Sequence, residues 1–73
     1  MTLDAARIGS TYEIVELKIE GITGRRLEAL GLIPGTWIEV LNRKKYGAVI
    51  FRVRGTRIAI GKKIAQFILV REE

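Results

Sequence analysis

The 73-residue sequence contains neither cysteine nor histidine. Without cysteine there is no disulfide framework and no thiolate nucleophile, a composition that suits a reducing compartment. Without histidine the chain lacks the side chain that titrates near neutral pH and the usual ligand for zinc, copper and haem. Metal ligation would then fall to carboxylates, hydroxyls and backbone oxygens, so neither a metal cofactor nor enzymatic catalysis is expected. Proline occurs once, and the aromatic residues Tyr12, Trp37, Tyr46, Phe51 and Phe67 are too scattered to line a groove for a polyproline helix. No uncharged run approaches the roughly 20 apolar residues that cross a bilayer, and Asp4 stands where a signal peptide keeps positive charge. These absences lead to the expectation of a soluble, cytoplasmic chain with one domain over residues 1–73 and a single thin core.

Negative charge is also missing from half of the sequence. Between Glu39 and Glu72 there is no carboxylate, while Arg43, Lys44, Lys45, Arg52, Arg54, Arg57, Lys62, Lys63 and Arg71 all lie in that interval, and the whole chain carries a formal charge of +5. Such asymmetry favours an acidic protein surface, a nucleic acid or anionic lipid headgroups as partner.

What is present is punctuation. In the run from Arg26 to Gly35, a short helix ending at Leu30 would place Gly31 in a left-handed conformation and fold Leu32 back onto Leu27, the Schellman arrangement. Pro34-Gly35 supplies the central residues of a type II turn. Upstream, residues 3–8 read as one short turn packed by Leu3 and Ile8. Residues 11–19 read as a strand whose alternation slips at Val15-Glu16, which a β-bulge reconciles. Thr23, after a loop at 21–23, is the expected helix N-cap. Downstream, residues 36–42 alternate with Ile38 and Val40 inward, and residues 43–47 form a hairpin loop with Gly47 at positive φ. Residues 48–54 follow with Val49, Phe51 and Val53 inward and Arg52 and Arg54 outward. A tight turn at Gly55 leads into residues 56–60, a single helical turn spans 62–66 with Ile64 or Ala65 facing the core, and 67–70 closes the chain as a strand. The pattern is mostly β: a small, partly open five-stranded barrel of SH3-like type with one short inserted helix.

The helix-and-turn run, the segment Gly55-Thr56-Arg57-Ile58-Ala59-Ile60-Gly61 with Ala65, Ile68 and Val70 after it, and the opening residues Leu3, Ile8 and Gly9 together resemble the FeoA family. These are small cytosolic accessory proteins of the bacterial ferrous-iron transporter FeoB, and similar barrels end the iron-dependent repressors. The resemblance implies an SH3-like barrel, association with the cytosolic region of FeoB, and modulation of its uptake or GTPase cycle. Peripheral recruitment to the membrane would then run through FeoB.

Partner-binding candidates are Arg25, Arg26, Leu27 and Leu30 around the helix, Trp37 on the strand face opposite Ile38 and Val40, and Arg52, Arg54 and Arg57, read as a ladder of positive charge around the Gly55 turn. Each has a plain alternative: the leucines cap the core, Trp37 lies under the helix or the N-terminal segment, and the arginines form a solvated face that blocks edge pairing. The carboxylates Glu13, Glu16, Glu20 and Glu28 offer weak oxygen-only metal binding at most. The competing functional class is a nucleic-acid-binding barrel using the basic half, for which Tyr46 and Trp37 would be the stacking residues.

Overall fold

The alternating segments pair into one antiparallel sheet in the structure, a computed structural model that describes residues 1–72. Its strands are Thr11–Leu17 (β1), Trp37–Arg43 (β2), Val49–Val53 (β3), Thr56–Ile60 (β4) and Ile68–Glu72 (β5), ordered β4-β3-β2-β1-β5. The sheet is unclosed, with β4 and β5 at its edges, as expected for a small SH3-like fold. A nine-residue helix, Gly21–Ala29 (α1), is inserted between β1 and β2. A 3-10 turn at Leu3–Ala5 precedes β1, and a single helical turn, Lys62–Ala65 (α2), joins β4 to β5.

One face of this curved sheet holds the core. Tyr12, Ile14, Ile38, Val40, Val49, Phe51, Val53, Ile68 and Val70 are buried there, and Leu3, Ala6, Leu27, Leu32 and Ala65 close it from the segments outside the sheet. The inward sets of β2 and β3 are those the alternation predicts, and Ala65 rather than Ile64 is fully buried in α2. The register of β1 against β5 shifts between Ile14 and Glu16, which leaves Val15 as the bulged residue. A second shift, between Val40 and Asn42 on β2, has no counterpart in the sequence pattern.

The helix ends as its sequence dictates. Leu30 is the C-cap, Gly31 takes φ +108°, the Leu32 N–H donates to the Leu27 carbonyl at 3.0 Å and the Gly31 N–H to the Glu28 carbonyl at 2.9 Å. This pair of bonds is the Schellman motif. In the next turn the Thr36 N–H donates to the Ile33 carbonyl at 3.1 Å with Gly35 at φ +92°, as a type II turn requires. The helix start differs from expectation: α1 begins at Gly21, its N-cap is Glu20 without a side-chain bond, and Thr23 lies inside the helix. Gly21, at φ +75°, turns the chain into the helix two residues before Thr23, and Gly24 packs against the Ile19 carbonyl oxygen, which a Cβ would approach to 2.3 Å. Ile8 is also displaced from its expected place and is 58% exposed. The Arg7 N–H donates to the buried Tyr12 hydroxyl at 2.8 Å and the Gly9 N–H to the Val40 carbonyl at 2.8 Å, which fixes the turn with Ile8 outward.

The two sheet edges are treated differently. On the outer side of β5, Thr2 bridges Leu69 and the Val70 N–H donates to the Met1 carbonyl at 2.8 Å. Arg7 grips the Glu72 carboxylate through both oxygens at 2.8 Å, and this bond, with its charge, raises the Arg7 pKa above its ordinary value. Arg43 reaches over from β2 to donate to the carbonyls of Asp4, at 2.6 Å, and Ala6. Among the described residues no backbone bond reaches the outer side of β4.

Candidate docking surface

The strands place two groups of the sequence-predicted residues. The first is a row across the outer face of the sheet: Thr11 stands opposite Glu39, Glu39 opposite Arg52, and Arg52 opposite Arg57. The Arg52 guanidinium bonds the Glu39 carboxylate at 2.9 Å, whereas Arg57 has no ion pair among the described residues. Like charges directly opposite on neighbouring strands repel, so the Arg52–Arg57 pair is a local cost carried by the sheet. Trp37 lies two residues before Glu39 on the same face and opposite Glu13, which Arg71 holds at 2.5 Å; that bond raises the Arg71 pKa. Trp37 is 45% exposed, so part of its indole stands in solvent between two carboxylate-containing pairs. Each carboxylate beside the ring is neutralised by its own arginine, so the indole is flanked by ion pairs rather than by free charge of either sign.

The second group gathers at the end of α1. Arg25 and Arg26 are exposed, Leu30 is 48% exposed, and Leu27 is buried at 7%. Leu27 is therefore a core residue under the cap, and Leu30 is the leucine that meets solvent. Arg54 joins this group instead of continuing a charge ladder. It has φ +52° and Gly55 has φ +78°, so the two form a type I′ turn between the paired residues Val53 and Thr56. The Arg54 side chain crosses to the helix end: a Cβ on Gly31 would lie 3.2 Å from its Cδ and 3.4 Å from its Nε. There the cation faces the negative end of the helix dipole. The ladder expected of Arg52, Arg54 and Arg57 is thus a pair, Arg52 and Arg57, with Arg54 turned toward Leu30 and Gly31. Nothing brings Arg25 into either group.

Sequence reasoning missed that Arg43 and Arg71, counted with the basic half, are used inside the fold. It also missed that β4 is left as an open edge. The first had no local signal, since both partners are remote in sequence. The second follows from strand order, which local patterning does not contain. Among the described residues no three acidic side chains converge on a point that would hold a metal ion.

Comparison with known proteins agrees with this geometry. The family model described as the FeoA domain matches residues 1–72. The fold superimposes on the solution structure of iron(II) transport protein A from Clostridium thermocellum with a TM-score of 0.91 at 25% identity over 99% of this chain. This chain spans just under half, 45%, of that one. A crystal structure of the iron uptake regulatory protein FeoA is 32% identical, with a TM-score of 0.87 over 99% of this chain and 94% of that one. A manganese-dependent transcriptional repressor shares the fold at a TM-score of 0.87 and 20% identity, with this chain covering 41% of it. Among curated protein sequences none matches.

Proposed function

The chain belongs to the FeoA family, and we propose that it serves ferrous-iron transport as a non-catalytic regulatory module that docks on the cytosolic region of FeoB. The observation that carries this reading is the family match across residues 1–72, supported by the 32% identical relative described as an iron uptake regulatory protein. Acting beside a membrane transporter, the module works at the cytoplasmic face, and no helix of the described residues is long and apolar enough to cross a bilayer itself. Its contact groups are the exposed end of α1, with Arg26, Leu30 and Arg54, and the outer sheet face with Trp37. An apolar residue ringed by arginines suits an acidic surface with an apolar centre. Regulation follows if the module prefers one state of the transporter or its nucleotide-binding domain, because a ligand shifts a conformational equilibrium only by its difference in affinity between states.

Purified protein titrated against the isolated cytosolic region of FeoB, with GTP hydrolysis measured in parallel, tests the reading. Saturable binding that alters the GTPase rate or the uptake of ferrous iron by reconstituted transporter is the expected result. Absence of binding together with unchanged turnover and uptake refutes it.

A further inference from the structure

We propose that β4 is a strand-addition site for an extended, acidic segment of a partner protein whose residues alternate between carboxylates and apolar side chains. The inference deepens the reading above and rests on it only for the domain being a binding module. In the β3–β4 hairpin, Val53 and Thr56 flank the two-residue turn and form the closing hydrogen-bonded pair. Antiparallel alternation then turns Thr56, Ile58 and Ile60 toward β3 and leaves the N–H and C=O groups of Arg57 and Ala59 pointing away from the sheet. Arg57 and Ala59 are both exposed, and among the described residues no backbone hydrogen bond reaches this side. The opposite edge, β5, is closed by residues 1–2.

Charge and shape define what fits. On the outer face the row reads Glu39, Arg52, Arg57, one carboxylate followed by two cations, and then ends at the edge. A carboxylate on an added strand beside Arg57 would give each of the two arginines an opposite charge on its outer side and offset the repulsion between them. On the inner face Ile58 is half-buried at the same edge and offers an apolar neighbour for the next residue of the incoming strand. Side chains of an added strand alternate between these two faces, so its sequence alternates as well. A second copy of this chain is the wrong occupant. Neither β3 nor β4 contains a carboxylate, and pairing β4 with itself would bring two Arg52–Arg57 rows together on one face.

The test uses isotope-labelled full chain and a short synthetic peptide of alternating glutamate and valine, with a matched lysine–valine peptide as control. The acidic peptide should bind, and the amides of Arg57 and Ala59 should shift and gain protection from hydrogen exchange, while the lysine peptide should not bind. Ala59→Pro removes an outward N–H at an edge position where proline is tolerated, and Arg57→Glu reverses the charge; each should weaken binding by roughly tenfold or more. Arg57→Glu alters no backbone group, so it remains informative if Ala59→Pro fails to fold. Absence of binding, shifts confined to α1 or the Trp37 face, or equal affinity of wild type and Arg57→Glu each overturn the proposal. Titration of the FeoB cytosolic region separates the two readings. Equal binding to wild type and Arg57→Glu would keep the docking reading and sink strand addition. Peptide capture at β4 without FeoB binding would do the reverse.

Discussion

Replacing Gly31 with alanine probes the junction on which the helix, the first glycine turn and Arg54 all meet. The position has φ +108°, beyond the left-handed well that L-residues occasionally occupy, and entering that region costs about 1–2 kcal/mol for a residue with a Cβ. The new methyl would stand 3.2 Å from Arg54 Cδ and 3.4 Å from Val53 Cγ2. Val53 is fully buried, so the yielding partner is Arg54, and forcing it off its rotamer adds about 0.5–1.5 kcal/mol. Alanine also stiffens the unfolded chain, which returns about 0.4–1 kcal/mol. The net expectation is a loss of about 2 kcal/mol, or about 8–16 °C in melting temperature for a domain of this size. Urea titration followed by far-UV circular dichroism gives the free energy. A double-mutant cycle with Arg54→Ala isolates the side-chain part, which should appear as a coupling of about 0.5–1 kcal/mol, the Gly31→Ala penalty shrinking once Arg54 is gone. A Gly31→Ala variant within about 0.5 kcal/mol of wild type would refute the argument from backbone geometry, and a coupling of zero would refute the placement of Arg54.

Three further outcomes follow from burial. Leu27→Ala empties a core position beneath the helix cap and should cost about 2–4 kcal/mol in urea unfolding. Leu30→Ser, on the exposed side of the same cap, should change stability by less than about 0.5 kcal/mol while weakening capture by the FeoB cytosolic region. Trp37, the single tryptophan, should show acrylamide quenching between that of a free indole and a shielded one, and binding of the FeoB region should reduce it. A fully shielded indole in the free protein would remove Trp37 from the contact surface.

The parts of the fold that were legible from sequence are those governed by a few adjacent residues. Gly31 with Leu27 and Leu32 defines a helix end, Pro34-Gly35 defines a turn, and the slip of alternation at Val15 marks a bulge, because each is a local steric requirement. Strand parity likewise put Trp37 outward and Ile38 inward. The failures are positions decided by remote partners. Thr23 has the chemistry of an N-cap, but the chain already turns into the helix at Gly21, with φ +75°, and packs Gly24 against the Ile19 carbonyl. Ile8 is apolar yet exposed, because bonds to Tyr12 and Val40 fix its turn. In the sequence Arg54 continues the alternation of β3, but the two-residue turn takes it out of the strand and toward the helix. In the candidate surface the residue types were legible, whereas their grouping depended on strand order and on which arginines the fold had already engaged.

The tie between residues 1–2 and β5 has a consequence for how this domain travels through evolution. Because the Met1 carbonyl meets the Val70 amide and Arg7 holds Glu72, the two ends of the described chain leave the fold side by side. Such a unit can be spliced between segments of a longer polypeptide, or be appended to one, without pulling its sheet apart. The same fold accounts for 41% of the manganese-dependent repressor chain.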